Sequence, residues 1–165
     1  MTRHRAHEHP AFAGARHDHD RCAHQALAAA ATLCAARGAR LTPVRRRVLE
    51  LIWRNHEPVG AYDLLAALAE GRRAAPPTVY RALDFLIAHG LVHRIASLNA
   101  FVGCPSPSRR HVGQFLICRR CGNAAEIDDA QIGRAVADSA NRVGFAIDRA
   151  AVEISGQCPQ CAAAR

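Results

Sequence analysis

Apolar residues recur at every third or fourth position in four segments of the first half of the chain, a spacing typical of amphipathic α-helices. Prolines near the starts and glycines near the ends of these segments mark their limits. The pattern therefore predicts four helices, over residues 25–38, 42–55, 60–71 and 76–90.

The second helix has the clearest start signal. Thr42 is the expected N-cap, and Pro43 follows at the first helical position, where its missing N–H costs nothing. The predicted apolar face of this helix consists of Val44, Val48, Leu51 and Ile52.

The fourth helix separates its residues into two faces. Its predicted inner stripe consists of Val79, Leu83, Leu86 and Ile87. Hydroxyl-bearing and charged side chains then fall nearer the outer side, namely Thr78, Tyr80, Arg81 and Asp84. Tyr80 could equally pack inward.

Two short strand-like runs follow, at residues 91–96 and 100–104. Helices followed by a β-hairpin give the order of a winged helix-turn-helix. Residues 105–113 have the Pro, Ser and Gly content of a hinge, and beyond them we expect two strands around a Cys-x-x-Cys turn, a helix over 129–144 and a strand over 145–156. The predicted fold class is α+β, with an N-terminal winged helix-turn-helix DNA-binding domain and a small C-terminal α/β domain.

Charge and composition distinguish the two predicted domains. Residues 1–113 contain 16 Arg and eight acidic residues, whereas residues 114–165 contain six of each. The basic part is a candidate for binding a polyanion, although a chain with Arg and no Lys can also reflect a GC-rich genome. No secretory signal or membrane-spanning stretch is visible, so we expect a cytoplasmic protein, in which seven cysteines favour metal over disulfides.

Four of those cysteines form two Cys-x-x-Cys pairs, and this spacing is typical of tetrahedral zinc sites. A shell of four thiolates leaves no open position for a substrate, so the predicted role is structural. Paired disulfides remain an alternative. A thioredoxin-like redox pair would open a helix after a strand, and neither pair is predicted to do so. The predicted ligands are Cys118, Cys121, Cys158 and Cys161.

A second set of residues has side chains of metal-ligand type, but the spacing along the chain is not that of a known metal-binding motif. These residues are His93, Cys104, His111 and Glu126. Taken singly, each also has a simpler interpretation, as an exposed wing histidine, a small buried thiol, a hinge histidine and a surface glutamate. The residues alone leave both interpretations open.

Several segments together resemble the ferric uptake regulator family, and most closely its zinc uptake regulator branch. They are RLTPVRRRVLELI (40–52), AYDLLAAL (61–68), PPTVYRALDFLIAHGLVHRI (76–95), ICRRCG and CPQC. The resemblance covers about residues 25–161. It implies a non-enzymatic, zinc-responsive transcriptional repressor of zinc uptake and homeostasis genes. This repressor would bind double-stranded operator DNA as a homodimer, with no membrane and no small-molecule substrate as partner.

The resemblance also assigns roles to residues. It places a regulatory zinc on His93, Cys104, His111 and Glu126, giving two zinc ions per chain with the structural one. The expected DNA-binding residues are Tyr62, Thr78, Tyr80, Arg81 and Arg94. The predicted organisation comprises a disordered His-rich tail, the DNA-binding domain, the hinge and a dimerisation and zinc-binding domain, over residues 1–24, 25–104, 105–113 and 114–165.

The chain departs from the family pattern in two places. Iron-type relatives have a His-rich stretch before the first Cys-x-x-Cys, whereas RRHVGQFLIC retains only His111, so a third metal site is not expected. The His-rich residues before 25 have no counterpart in the family. The alternatives are an iron- or peroxide-responsive regulator of the same family, a zinc-dependent thiol enzyme, and a zinc store using His17, His19, Cys22 and His24.

Overall fold

The computed structural model describes residue 12 and residues 19–54, 57–69, 75–109 and 111–164. They belong to two compact units, an N-terminal unit of residues 18–111 and a C-terminal unit that contains residues 112–165. Most of the predicted tail lies outside the described residues. We assigned residues 19–24 to that tail. They are helical instead, and the first helix begins at His19 and not at residue 25. Among the described residues, no helix combines the length and the apolar character needed to cross a membrane.

The N-terminal unit contains the predicted helices and hairpin. Its elements are α1 (His19–Ala36), α2 (Pro43–Trp53), β1 (Val59–Gly60), α3 (Ala61–Ala69), α4 (Pro76–Ala88), β2 (Val92–Ile95) and β3 (Ala100–Gly103). The strands form an antiparallel sheet in the order β1-β3-β2, and the two-residue strand β1 was not predicted. We call the β2–β3 hairpin the wing.

One hydrophobic core holds this unit together, and α2 and α4 supply most of it. The predicted N-cap of α2 is confirmed, because the Arg45 backbone N–H donates to Thr42 Oγ1 at 3.5 Å. Val48, Leu51 and Ile52 are buried as predicted, but Val44 is exposed and Leu49 is buried instead. The periodicity predicts which side of α2 faces the core. It does not predict whether neighbouring elements extend far enough along the helix to cover Val44 in the first turn.

The wing is attached to this core at its base. A Cβ atom at Gly103 would collide with the Trp53 indole, so only glycine allows α2 to approach β3 this closely. The Cys104 backbone N–H then donates to the Leu91 carbonyl at 3.0 Å, which fixes the residue that follows the strand. At the tip, Asn99 has a φ of 48°, a left-handed conformation that asparagine tolerates better than most residues.

The C-terminal unit is built on a second three-stranded sheet. Its elements are β4 (Gly113–Cys118), β5 (Ala124–Ile127), α5 (Ala130–Arg142), β6 (Ala151–Gly156) and α6 (Pro159–Ala163). The strand order is β5-β4-β6, with β4 antiparallel to β5 and parallel to β6. The strand β6 begins six residues later than position 145, and the helix α6 was not predicted.

A buried glutamine connects this sheet to α5. The Gln114 side chain donates to the Asp129 carbonyl at 2.9 Å and accepts from the Asp129 N–H at 3.2 Å. The Asp129 carboxylate in turn caps α5 by accepting from the N–H groups of Gln131 and Ile132. Both polar ends of Gln114 are therefore satisfied inside the unit, as a buried amide requires.

Candidate functional site

The four predicted zinc ligands come together in the C-terminal unit. Their sulfur atoms all lie within 4.8 Å of one another. Parallel pairing of β4 with β6 sets Cys118 opposite Gly156, so the chain leaves both strands at the same end of the sheet. The turn after β4 then carries Cys121, and the segment after β6 carries Cys158 and Cys161.

The spacing of the sulfur atoms fits a metal and not a disulfide. Cys121 Sγ and Cys158 Sγ are 3.8 Å apart. A zinc–sulfur bond of about 2.3 Å gives a tetrahedron with an edge of about 3.8 Å, whereas a disulfide needs a sulfur–sulfur distance of about 2.05 Å. No described cysteine forms a disulfide. The four residues therefore fit a closed tetrahedral zinc shell.

Hydrogen bonds shift the pKa values of Cys118 and Cys161 in opposite directions. The backbone N–H of Cys158, together with those of Cys121 and Arg120, lowers the pKa of Cys118 to about 6. Hydrogen bonding with the Cys158 thiol, assisted by burial, raises the pKa of Cys161 to about 12. Sulfur atoms this close resist simultaneous ionisation, and a cation among them is what allows all four to become thiolate ligands.

One prediction about the second cysteine pair is wrong. Cys158 follows β6 and is the N-cap of α6, so this pair does open a short helix after a strand. No apolar period indicated α6, because five residues are too few to show one. The helix does not restore the redox interpretation, since Cys158 lies in the four-sulfur cluster.

The N-terminal unit brings together three residues of the second predicted set. His93 lies on β2, Cys104 follows β3, and His111 lies at the end of the unit. The ligand atoms of these residues lie within 4.8 Å of one another. Cys104 Sγ is 3.7 Å from His111 Nε2, and the rings of His93 and His111 meet edge to face with centroids 5.1 Å apart.

The orientation of His111 suits a metal ligand. Its Nδ1 lies 3.0 Å from the Arg109 carbonyl oxygen. A carbonyl oxygen can only accept, so Nδ1 carries a proton, and in the neutral ring the lone pair is on Nε2, the atom that faces Cys104. Histidine ligands in metal sites are commonly oriented by such a bond from the other ring nitrogen. Glu126, the fourth predicted residue, lies half-buried on β5 of the C-terminal unit, opposite Phe115 of β4.

The outer face of α4 is exposed as the periodicity predicts. Thr78 and Arg81 are exposed, and Tyr80 retains 47% of its accessible surface, so its ring does not pack inward. On the neighbouring helix, Tyr62 is 78% exposed in the first turn of α3. Two tyrosines that could have been buried are therefore available at the surface of the basic unit.

The wing presents a further cation. Arg94 is exposed on β2, and its Nη2 donates to Asn99 Oδ1 at 3.2 Å. This contact links the side chain to the wing tip, where the left-handed Asn99 reverses the chain.

Comparison with known proteins places the chain in a family. The sequence model of the ferric uptake regulator family matches residues 36–155, which is more than half of the chain. This chain belongs to the ferric uptake regulator family.

Relatives of this family show how far the similarity extends. The zinc uptake regulation protein of Escherichia coli (strain K12) is 40% identical over 139 residues, covering 82% of this chain and 80% of that protein. A solved zinc uptake regulator complexed with zinc and DNA has 38% identity and a TM-score of 0.81, and the match covers 86% of this chain and 96% of the other. The holo form of XcZur has 46% identity and a TM-score of 0.77, with 83% and 96% covered. The α+β fold class is thereby confirmed.

Some features of this family member escaped the sequence analysis. The residues after α5 include Val143, 79% exposed, and Phe145, 64% exposed, which we had assigned to a helix end and a strand. The sequence feature that could have indicated an exposed apolar segment is the pair of large apolar residues on either side of Gly144. Arg120, inside the first cysteine pair, donates to one carbonyl of α6 and to the carbonyl of its C-cap, and no sequence pattern indicated this contact.

Proposed function

We propose that this protein is a cytoplasmic, zinc-responsive transcriptional repressor that binds operator DNA as a dimer and controls genes of zinc uptake and homeostasis. The observation that carries the proposal is the meeting of Cys104 with His93 and His111 in the N-terminal unit. The similarity to proteins named zinc uptake regulators, one of them complexed with zinc and DNA, supports it.

The regulatory site would use His93, Cys104 and His111, with Glu126 as the fourth ligand. A soft thiolate beside two imidazoles favours zinc, whereas iron and manganese sites favour sets of histidine and carboxylate. The presence of Cys104 therefore argues against the iron- or peroxide-responsive alternative. The role of Glu126 rests on the family resemblance and on its side chain type.

A second zinc would be held by the four cysteines, giving two ions per chain. Because Cys118 and Cys158 are buried and the four thiolates complete the coordination shell, this site would stabilise the fold without accepting a substrate. A closed shell also argues against the zinc-dependent thiol enzyme.

Operator DNA would be contacted by the exposed face of α4. The Arg81 guanidinium group carries several N–H donors, two of which can bond two acceptors of one guanine in the major groove. Thr78 and Tyr80 share its exposed face, and Tyr62 lies in the first turn of the preceding helix. Arg94 would meet phosphate, which positions the wing and carries no sequence information by itself.

Dimer formation is supported by the uncovered apolar surface of the C-terminal unit. Among the described residues, α5 buries none of its side chains. Near it in the chain, Phe145, Ile147 and Ile154 are large, apolar and exposed. Large apolar side chains exposed to water are unfavourable, and a second copy of the chain would cover them.

In this proposal the regulatory ligands act as a mechanical link. They come from the wing, the segment after it and the sheet of the dimerisation domain. Joint binding of one ion by these ligands would hold each DNA-binding domain at a fixed angle to the dimer, so that two half-sites can be engaged together. Bound zinc supplies the charge and the tetrahedral preference that this link requires.

The replacement of Cys104 by serine tests the regulatory role. Serine keeps the size of the side chain but remains protonated near neutral pH, so the anionic ligand is lost. We expect Cys104→Ser to retain one zinc per chain and a folded dimer, and to lose most zinc-dependent retention of promoter DNA. The measurement is a DNA retention assay across a range of buffered free zinc, with zinc content determined in parallel.

Cys34→Ser is the matched control. Cys34 is buried in the same unit, and its burial raises the pKa of its thiol, so this residue resembles a neutral core side chain. The control should respond to zinc like the unaltered protein. Normal zinc-dependent retention by Cys104→Ser would contradict the regulatory assignment and leave only the four-cysteine site.

A further inference from the structure

Arg120 occupies an unusual position, inside the turn that carries the first cysteine pair. From there its side chain reaches the second pair, because Nη1 donates to the Cys161 carbonyl at 2.8 Å and to the Ala164 carbonyl at 2.9 Å. The Cys161 carbonyl belongs to the middle of α6, and the Ala164 carbonyl belongs to its C-cap. One side chain of the first turn thus holds the end of the helix that carries the fourth cysteine.

The helix α6 needs such support. It has five residues and no buried residue, and a helix of this length is unstable in water by itself. Its first turn is held by Cys158, whose Sγ accepts from the Cys161 N–H at 3.4 Å. Its last carbonyls carry the partial negative charge of the helix C-terminus, and a guanidinium group stabilises such carbonyls.

The same contact affects the placement of ligands. Cys121 and Cys161 are the more accessible members of the four, whereas Cys118 and Cys158 are buried. The two buried cysteines are joined directly by the bond from the Cys158 N–H to Cys118 Sγ at 3.4 Å. Cys161 lies in α6, after the residue that makes this hydrogen bond, so the orientation of α6 determines the position of the Cys161 sulfur.

We propose that Arg120 is a positioning residue of the four-cysteine zinc site, which fixes α6 and thereby holds Cys161 in place for the metal. The inference rests on the proposed zinc occupancy of that site. The positive charge of Arg120 would also compensate part of the excess negative charge that four thiolates leave around one divalent ion. Loss of the contact should chiefly accelerate the release of zinc, because Cys161 is the ligand that would detach first.

The neighbouring Arg119 provides a matched control. It lies in the same turn and has the same charge, and its backbone N–H donates to the Gly156 carbonyl, a bond that a side chain substitution leaves intact. The experiment uses the full-length zinc-loaded dimer of Arg120→Ala, Arg120→Lys and Arg119→Ala. Each is mixed with an excess of a chromogenic zinc chelator, and the rate of release from the four-cysteine site is followed.

We expect Arg120→Ala to release this zinc about 10- to 100-fold faster, the range typical for partners that orient metal ligands. Arg119→Ala should release it at the rate of the unaltered protein, and Arg120→Lys should lie between. In protein reconstituted with cobalt, the thiolate-to-cobalt charge-transfer bands of Arg120→Ala should shift or weaken. Those of Arg119→Ala should not change. Faster release without any change in the cobalt bands would mean general destabilisation and would overturn the inference.

Equal release rates for Arg120→Ala and Arg119→Ala would also overturn it. If Arg120→Ala fails to fold, the comparison is made between Arg120→Lys and Arg119→Ala, and equal rates for that pair are again decisive against it. A different result would count against the proposed function itself, namely an unaltered protein that holds no zinc on the four cysteines. Zinc content of the unaltered protein and of Cys158→Ser, measured before the release assay, separates the two failures.

Discussion

The two units of this protein are stabilised in different ways. The N-terminal unit buries a continuous apolar core from its helices and wing, including Leu49, Ile52, Leu83 and Leu86. In the described part of the C-terminal unit the buried apolar residues are few, and two of them, Cys118 and Cys158, are predicted zinc ligands. The first unit can rely on the hydrophobic effect, whereas we propose that the second depends on zinc and on a second copy of the chain.

Charge follows the same division. The excess of Arg over acidic residues lies entirely before residue 114, and the remainder of the chain is balanced. An excess positive charge disfavours the association of two copies but favours contact with DNA. The neutral unit therefore suits dimer formation and the basic unit suits DNA binding.

The largest expected effect comes from removing a zinc ligand. Cys158→Ser should unfold the C-terminal unit and abolish the dimer, because structural zinc contributes on the order of 10 kcal/mol to the folding of small domains. The N-terminal unit should keep its helices. Hydrogen exchange reports the two units separately, and sedimentation reports the dimer. Cys34→Ser should retain both, and a normal dimer in Cys158→Ser would contradict the difference between the units.

A core substitution in the N-terminal unit should destabilise that unit and leave the C-terminal unit unchanged. Leu86 is fully buried in α4, and Leu86→Ala should cost about 2–5 kcal/mol of the free energy of unfolding of this unit. Zinc content on the four cysteines should not change. Denaturant unfolding with zinc analysis provides the measurement. Leu98→Ala, at an exposed position of the wing, serves as the control and should cost little.

The exposed apolar surface should carry the dimer. Phe145→Ser is expected to weaken the association of two copies by roughly 2–4 kcal/mol, the range of a central interface aromatic residue. Sedimentation over a concentration series measures this constant. Val44→Ser removes an exposed apolar side chain from the other unit and should leave the dimer unchanged. Equal behaviour of the two variants would mean that this surface is not the interface.

The smallest expected effect concerns DNA reading by the basic unit. Arg81→Ala should weaken specific binding by about 1–3 kcal/mol if its side chain contacts a base edge, while zinc content and dimer stay the same. Arg94→Ala should instead weaken binding to specific and random DNA alike, as expected for a phosphate contact. Equal losses of Arg81→Ala on both DNA types would make Arg81 a phosphate contact as well.

Local patterns predicted those features that depend on neighbouring residues. The start of α2 at Pro43 and the exposed face of α4 follow from capping and periodicity, which act within one or two turns. The four cysteines were recognised from the tight Cys-x-x-Cys turn. The early start of α1 was missed because residues 19–24 contain few apolar residues. The short α6 has too few residues to show a period, and the burial of Leu49 depends on contacts with other segments.

The sequence by itself determined the basic character of the first part, and it predicted the two-part organisation and both metal-ligand sets, the second of them through family resemblance. Only the tertiary structure decided that Cys104 meets His93 and His111, that β6 runs parallel to β4 and brings Cys158 to Cys118, and that Arg120 reaches α6. The physical reason is that spacing along the chain specifies local geometry, whereas strand pairing and packing between distant segments depend on the energy of the whole unit.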